Sequence, residues 1–183
     1  TDQTLALQRA IDQLYLPWSG ASDADSLKKR VTLKLDAGLY KINDSLKVPP
    51  YVNLVGDGSD KTVIEQTGAF AVIETINGNG INAQTSSTNQ SNIIRLQGMT
   101  LKSYLTNPAL KLSSTKDSQF VDIKLHGPWT QGSAINATQV GLLMEATSTP
   151  VTTQNNNFEK LKVVGFSYGI LSNHDVANNH FED

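Results

Sequence analysis

LQGMTLKS (96–103), FVDIKLHG (120–127) and FEKLKVVG (158–165) are three versions of one word. Each opens on an apolar residue, passes two others, then runs apolar, polar, apolar. A fourth version begins FED at Phe181, so the starts are Leu96, Phe120, Phe158 and Phe181, at spacings of 24, 38 and 23 residues. A second word sits inside each unit: ALKL (109–112), GLLM (141–144) and YGIL (168–171). The long unit holds two polar inserts, GPWTQGSAINATQ (127–139) and TSTPVTTQNNN (147–157). The compact units are too short for a propeller blade of roughly 40 residues. They fit one coil of a parallel β-helix, in which equivalent strands of successive coils lie roughly 4.8 Å apart and inserts leave at the corners.

Upstream, LDAGLYKINDSLKVPPYVNLVGDG (35–58) obeys the same logic. Val31, Leu33 and Leu35 alternate with polar residues, as do Tyr40 with Ile42, Leu46 with Val48, and Val52 with Leu54; Val63 and Ile64 follow. Gly, Asn, Asp and Pro separate these runs, because a chain that turns every few residues needs positive or preset φ at its corners. Short strands without crossover helices leave a sandwich, a barrel or a solenoid. The repeat selects the solenoid. The exception to period two lies at the start, where Leu5, Leu7, Ala10, Ile11 and Leu14 form an apolar stripe at helical spacing. Asp2 or Thr4 can cap it, and Pro17 stops it. The expected architecture is an all-β solenoid with an N-terminal capping α-helix (1–18) and parallel β-helix coils (31–183) in one domain. An amphipathic helix laid over the open end of such a solenoid shields edge backbone groups and the apolar column from water.

The register predicts which side chains stack. Met99, Ile123 and Leu161 should point inward together, as should Leu101, Leu125 and Val163. Ser118, Asn156 and Asn179 precede the repeat starts and should stack at a corner, bonding to backbone. Gly98, Asp122, Lys160 and Asp183 should point outward, the last three as a ladder of alternating charge.

Composition narrows function. The 183 residues carry a net charge of −2, and arginine occurs at positions 9, 30 and 95, which gives no electrostatic footprint for nucleic acid. The SLKKR cluster (26–30) reads as a solvated loop. Without cysteine there are no disulfides, thiol nucleophiles or thiolate metal sites. No apolar run approaches the ~20 residues of a membrane helix, and no signal peptide is visible. The chain opens on TDQTLALQ and stops three residues into a repeat, and is expected to be a piece of a longer protein.

The first ~65 residues resemble the N-terminal signature of the pectate-lyase-like right-handed parallel β-helix superfamily, especially its phage tailspike and virion members. The carriers are TDQT before LALQRAIDQL, then VTLKLDAGLYKI, SLKVPPYVNLVGDGS and KTVIEQ. Asp36 stands where the family often has proline, a replacement that still favours a turn. The stretch 78–92 does not fit a strand and reads as a loop. The resemblance implies a right-handed, single-stranded β-helix in a virion tail, as tailspike, tail fibre or baseplate-associated protein. It further implies a homotrimer, other virion tail proteins as neighbours, and attachment to a host surface polysaccharide or a role in tail structure. The alternative is a polysaccharide depolymerase, hydrolase or lyase, on the same scaffold. A secreted bacterial lyase or adhesin is a third reading. No cofactor, metal, nucleic acid or membrane insertion is expected.

For chemistry, Glu145 and Asp175 end second-word strands near a shared corner and are the candidate catalytic pair, since glycoside hydrolysis needs two carboxylates across a groove. Asp122 facing Lys160 reads as structural, and the remaining carboxylates of the repeats, Asp117, Glu159, Glu182 and Asp183, suggest no further pair. Nothing clusters Asp as the Ca²⁺-dependent lyases of the superfamily do, and Arg95 is the sole arginine in the repeats. His126, His174 and His180 read as exposed loop residues. Trp129 and Tyr104, in or beside polar inserts, are the candidate glycan contacts, because aromatic faces stack on pyranose rings. Trp18 should pack on the capping helix.

Overall fold

The computed structural model describes residues 1–15, 30–77, 91–134, 138–146 and 152–183. Helix α1 (Thr4–Tyr15) precedes coils built from three parallel sheets. The first coil contains β1 (Thr32–Leu35), β2 (Gly38–Ile42) and β3 (Leu46–Val48); the second β4 (Asn53–Gly56), β5 (Thr62–Gln66), β6 (Ile73–Thr75) and β7 (Ser91–Asn92). The third contains β8 (Arg95–Lys102), β9 (Leu110–Ser113) and β10 (Thr115–Lys116); the fourth β11 (Gln119–His126), β12 (Val140–Glu145) and β13 (Thr153–Gln154). The fifth contains β14 (Asn157–Glu159), β15 (Lys162–Val164), β16 (Tyr168–Asn173) and β17 (Val176–Ala177), and β18 (His180–Glu182) opens another. One sheet runs β1-β4-β8-β11-β14-β18, a second β3-β6-β9-β12-β16, and a third β7-β10-β13-β17. The fold is a parallel β-helix. The expected stop of the helix at Pro17, the packing of Trp18 and residues 78–90 of the expected loop at 78–92 lie outside the described residues; Ser91 and Asn92, read as loop, instead form β7, held by parallel pairing with β10. Arg30, at the end of the SLKKR cluster, departs from the solvated-loop reading: half-buried, it donates from Nε and Nη2 to the corner carbonyls of Tyr51 and Val52, at 3.1 and 3.2 Å.

The repeat register holds residue for residue. Leu96, Phe120, Phe158 and Phe181 are successive partners, and the three Phe rings stack at centroid separations of 4.8 and 4.5 Å. Met99, Ile123, Leu101 and Leu125 are fully buried, with Leu161 and Val163 packed on the same core from the fifth coil. Sequence reading missed that Leu54 begins the same column, pairing Leu96, while Ile64 pairs Leu101. A loop between β4 and β5 stretches in the second coil a span that β8 crosses with Gly98 at φ +67°, so the word is broken in two.

The polar corner forms as expected. Ser118 N donates to Asn156 Oδ1 and Asn156 N to Asn179 Oδ1, each at 3.1 Å, while Ile94 N donates to Ser118 Oγ at 3.0 Å. The lid has a specific mechanism. Gln8 takes Lys47 N on Oε1 (2.8 Å) and donates Nε2 to Lys47 O (2.9 Å), standing in for a neighbouring strand. Gln3 does the same for Lys41 through its own backbone N and its Oε1, and Thr4 Oγ1 accepts from Asn43 N. Leu7 and Ile11 meanwhile close the apolar column. Asp2 caps the helix, its Oδ1 accepting from Thr4 Oγ1 at 2.6 Å and from Thr4 N at 3.0 Å, and these two bonds, the hydroxyl first, hold its carboxyl below the usual carboxylate range.

The outward charge ladder is a correction. Asp122 and Lys160, like Gly98, adopt positive φ at the bend of the first sheet. Gly98 has no side chain, so Asp122 reaches across the third coil to Ser59, accepting from Ser59 N (3.1 Å) and Oγ (2.7 Å). Lys160 instead lies 3.7 Å from Glu159. Asp122 is structural, as expected, but with a different partner.

Candidate functional site

Trp129 stands in the insert that leaves the fourth coil after β11, and it is 39% exposed. A tight turn fixes it. Ser133 N and Oγ both donate to Thr130 O, Thr130 N donates back to Ser133 Oγ, and Gly132 supplies the positive φ. The indole Nε1 is committed to Ser133 O at 3.2 Å, and Trp129 N donates to Gly165 O. The ring is therefore preset at little further entropic cost on binding.

With Phe166, Gln139 and Ser167 it lines a cavity of about 310 Å³. That volume lies at the lower end of ligand sites, ~300–1,000 Å³. Phe166 is positioned by absent side chains. A Cβ on Gly127 would meet the Phe166 ring at 2.9 Å and Gly165 O at 2.0 Å; one on Gly141 would meet the ring at 3.1 Å. Gly127, just after β11, and Gly141, in β12, thus open the slot in which the ring lies. Gln139 is 9% exposed; its backbone carbonyl accepts from Tyr168 N, and its side-chain Oε1 is buried without a hydrogen-bond partner among the described residues. Sequence reading found Trp129 and missed Phe166 and Gln139. The paired glycines at 127 and 141 were the available signal. Tyr104, 47% exposed, sits in the turn after β8 and is not among the described residues lining this cavity.

The candidate acid pair is rearranged. Glu145 and Asp175 do share a corner, through Thr153: its Oγ1 donates to Glu145 O at 2.6 Å and its N to Asp175 O at 3.0 Å. The Glu145 carboxylate, however, lies 3.1 Å from Lys111 Nζ, which is also 3.1 Å from Glu74. Burial disfavours the Lys111 charge, but its bonds to Glu74 and Glu145 outweigh that and raise its pKa. The carboxylate facing Glu145 is thus Glu74, with a lysine between, beside a hollow of about 270 Å³. His126, at the end of β11, is partly buried; desolvation first, then Lys124 and Lys102, push its pKa below the usual histidine value.

Stacked parallel strands under a helical lid, with a lateral aromatic cavity on an insert, define a parallel β-helix protein. The chain belongs to the rhamnogalacturonase A/epimerase, pectate lyase-like family, whose model matches residues 1–182. Among solved structures it is similar to ORF18 of Geobacillus virus E2, with a TM-score of 0.62 at 14% identity over 100% of this chain. The chain spans 38% of that protein's length. No curated protein matches it.

Proposed function

We propose that the chain is the β-helical part of a phage virion tail protein that attaches to a host surface polysaccharide. It would act as a homotrimer among other tail proteins, as a tailspike, tail fibre or baseplate-associated component. The observation that carries the attachment role is the preset Trp129 ring lining one cavity with Phe166, an aromatic hollow of sugar-ring size on the flank of the solenoid. The family and the viral structural neighbour support the setting. The test is to incubate the protein with host capsule or O-antigen polysaccharide and follow retention, chain length and unsaturated-sugar absorbance. Retention without cleavage, lost in W129A, supports attachment. Absence of retention overturns it and leaves a tail scaffold.

A second reading, a polysaccharide depolymerase, is favoured by Glu74 and Glu145. Both lie 3.1 Å from one nitrogen, so their oxygens are separated by at most twice that distance. Retaining glycosidases hold their carboxyls ~5–5.5 Å apart. Against it, Lys111 sits between the two carboxylates and ion-pairs with both, in the space a glycosidic oxygen would need. Shortened polysaccharide chains that disappear in E145Q would establish it, and new absorbance alongside would mean a lyase.

A further inference from the structure

Exposed apolar side chains are not scattered over this solenoid. From the second coil to the fourth, the large ones among the described residues are Phe70, Tyr104, Leu105 and Trp129. All lie at the corner where the first sheet hands over to the second: Phe70 between β5 and β6, Tyr104 and Leu105 between β8 and β9, Trp129 between β11 and β12. The other exposed large apolar residues, such as Leu39 and Ile170, belong to the lid or to the coils at either end. In the fifth coil the same corner holds Phe166, which shares the Trp129 cavity. Backbone bonds tie these corners coil to coil: Val72 N to Pro108 O, Ser103 N to His126 O and Trp129 N to Gly165 O. One edge of four successive coils therefore carries a line of rings running along the solenoid axis.

Two further observations show that this line is presented outward and not folded away. Among the described residues the stacked rings belong to the inward Phe column, and the rings of Phe70, Tyr104 and Trp129 stack on none of their neighbours, so their faces stay open. Leu105 has φ 58°. Left-handed backbone is costly for a branched side chain, and burial does not offset the cost here, because Leu105 is half exposed. Backbone outliers of this kind cluster at ligand-binding sites. The turn after β8 thus holds Tyr104 and Leu105 out into water against both backbone preference and the hydrophobic effect.

Spacing and surroundings name the occupant. Successive coils lie roughly 4.8 Å apart, close to the advance per ring of an extended hexose chain. The rings come singly, with exposed Thr67, Thr106 and Thr130 in the same turns. A protein partner is met by a contiguous apolar patch with a polar rim. A glycan instead offers apolar ring faces alternating with hydroxyl edges, which suit single aromatic faces set among hydroxyls. We infer that this corner is a continuous track for one extended surface-polysaccharide chain lying along the solenoid axis, with Phe70, Tyr104 and Trp129 as successive stacking platforms and Leu105 beside the second. This rests on the attachment reading above and extends it from one cavity to a path across four coils.

The experiment uses the whole chain and calorimetric titration with fragments of the host capsule or O-antigen polysaccharide, size-graded after partial acid hydrolysis. The expected result is an affinity that climbs with length to about four sugars, one for each coil from the second to the fifth, and then levels. F70A and Y104A should each weaken the tetrasaccharide by about three- to tenfold, the scale of one aromatic contact, with an effect that fades as the probe shortens. L105G should weaken it too while unfolding no earlier than the parent, because glycine accepts left-handed backbone. W129A should weaken every length. Affinity that stops growing at one sugar, or F70A and Y104A that match the parent on the tetrasaccharide, overturns the track, while polysaccharide retention lost in W129A keeps the attachment reading. A lower urea midpoint in F70A and Y104A assigns the rings to packing, and dissociation of the assembled protein in those variants with tetrasaccharide affinity intact assigns the corner to a contact between copies; either overturns the inference. Failure of every fragment length together with failure of polysaccharide retention overturns both readings.

Discussion

Replacing Asn156 with alanine tests how the solenoid holds its corners. Asn156 is 1% exposed and joins three coils. Its Oδ1 receives Ser118 N at 3.1 Å, and its Nδ2 donates to Thr115 O and Asn179 Oδ1, both at 2.9 Å. Alanine keeps the backbone bond from position 156 to Asn179, and Thr115 C=O keeps its ladder bond from Gln154 of the next coil, but Ser118 N–H is orphaned. Ser118 is buried. An unmet buried group costs ~1–3 kcal/mol and the lost Nδ2 hydrogen bonds add about 1 kcal/mol, so N156A should lose about 2–4 kcal/mol. With a urea m-value of ~2 kcal/mol/M, the midpoint should fall by about 1–2 M. The control is its neighbour. Asn155 is exposed, bonds only loosely to Asp117 at 3.3 Å and has φ 55°, so N155A should cost about 1–2 kcal/mol through the left-handed backbone alone. Urea unfolding followed by circular dichroism measures both, and amide exchange at Ser118 reports the corner directly. If N156A unfolds no earlier than N155A, the buried side-chain ladder does not hold the coils together as argued.

Three further outcomes follow from the same geometry. G127A drives a Cβ to 2.0 Å from Gly165 O and into the Phe166 ring, so it should destabilise by about 1–3 kcal/mol and weaken polysaccharide retention more than an alanine at an outward-facing position of β11; unfolding and retention assays read the two effects. Q8A removes both partners of Lys47 at the covered edge, and should raise amide exchange at Lys47 and cost about 1–2 kcal/mol, because water can reach part of that edge. For His126 the folded pKa lies below the unfolded value of ~6.5, so the unfolded chain binds the proton first. Stability should therefore fall as pH drops through that value toward the folded pKa, and H126Q should flatten the slope in a urea-midpoint series across pH 5–8.

How far the sequence reached differs between fold and site. The stacking of Phe120, Phe158 and Phe181 was legible because a solenoid repeats its own environment, so one word recurs wherever the same column needs the same side chain. Ser118, Asn156 and Asn179 were legible for the same reason. Leu54 was not, because the loop before β5 shifted the second half of the word. The helix could be read as a lid from its apolar stripe, whereas the use of Gln8 as a substitute strand depends on where its amide meets Lys47.

Site chemistry does not repeat along the chain, and there the sequence stopped at residue types. It offered Trp129 as a ring on an insert and Glu145 with Asp175 as acids near a corner. Only the stacking of coils brought Phe166 from the fifth coil and Gln139 from the edge of the fourth to one cavity with that ring, and only the stacking of the second sheet placed Lys111 between Glu145 and Glu74. The sequence by itself determined the coil, its column and its corners, since those are set by short-range alternation and turn chemistry repeated many times. The tertiary structure decided who faces whom across coils, since a side chain's partners lie about one coil, and not one residue, away.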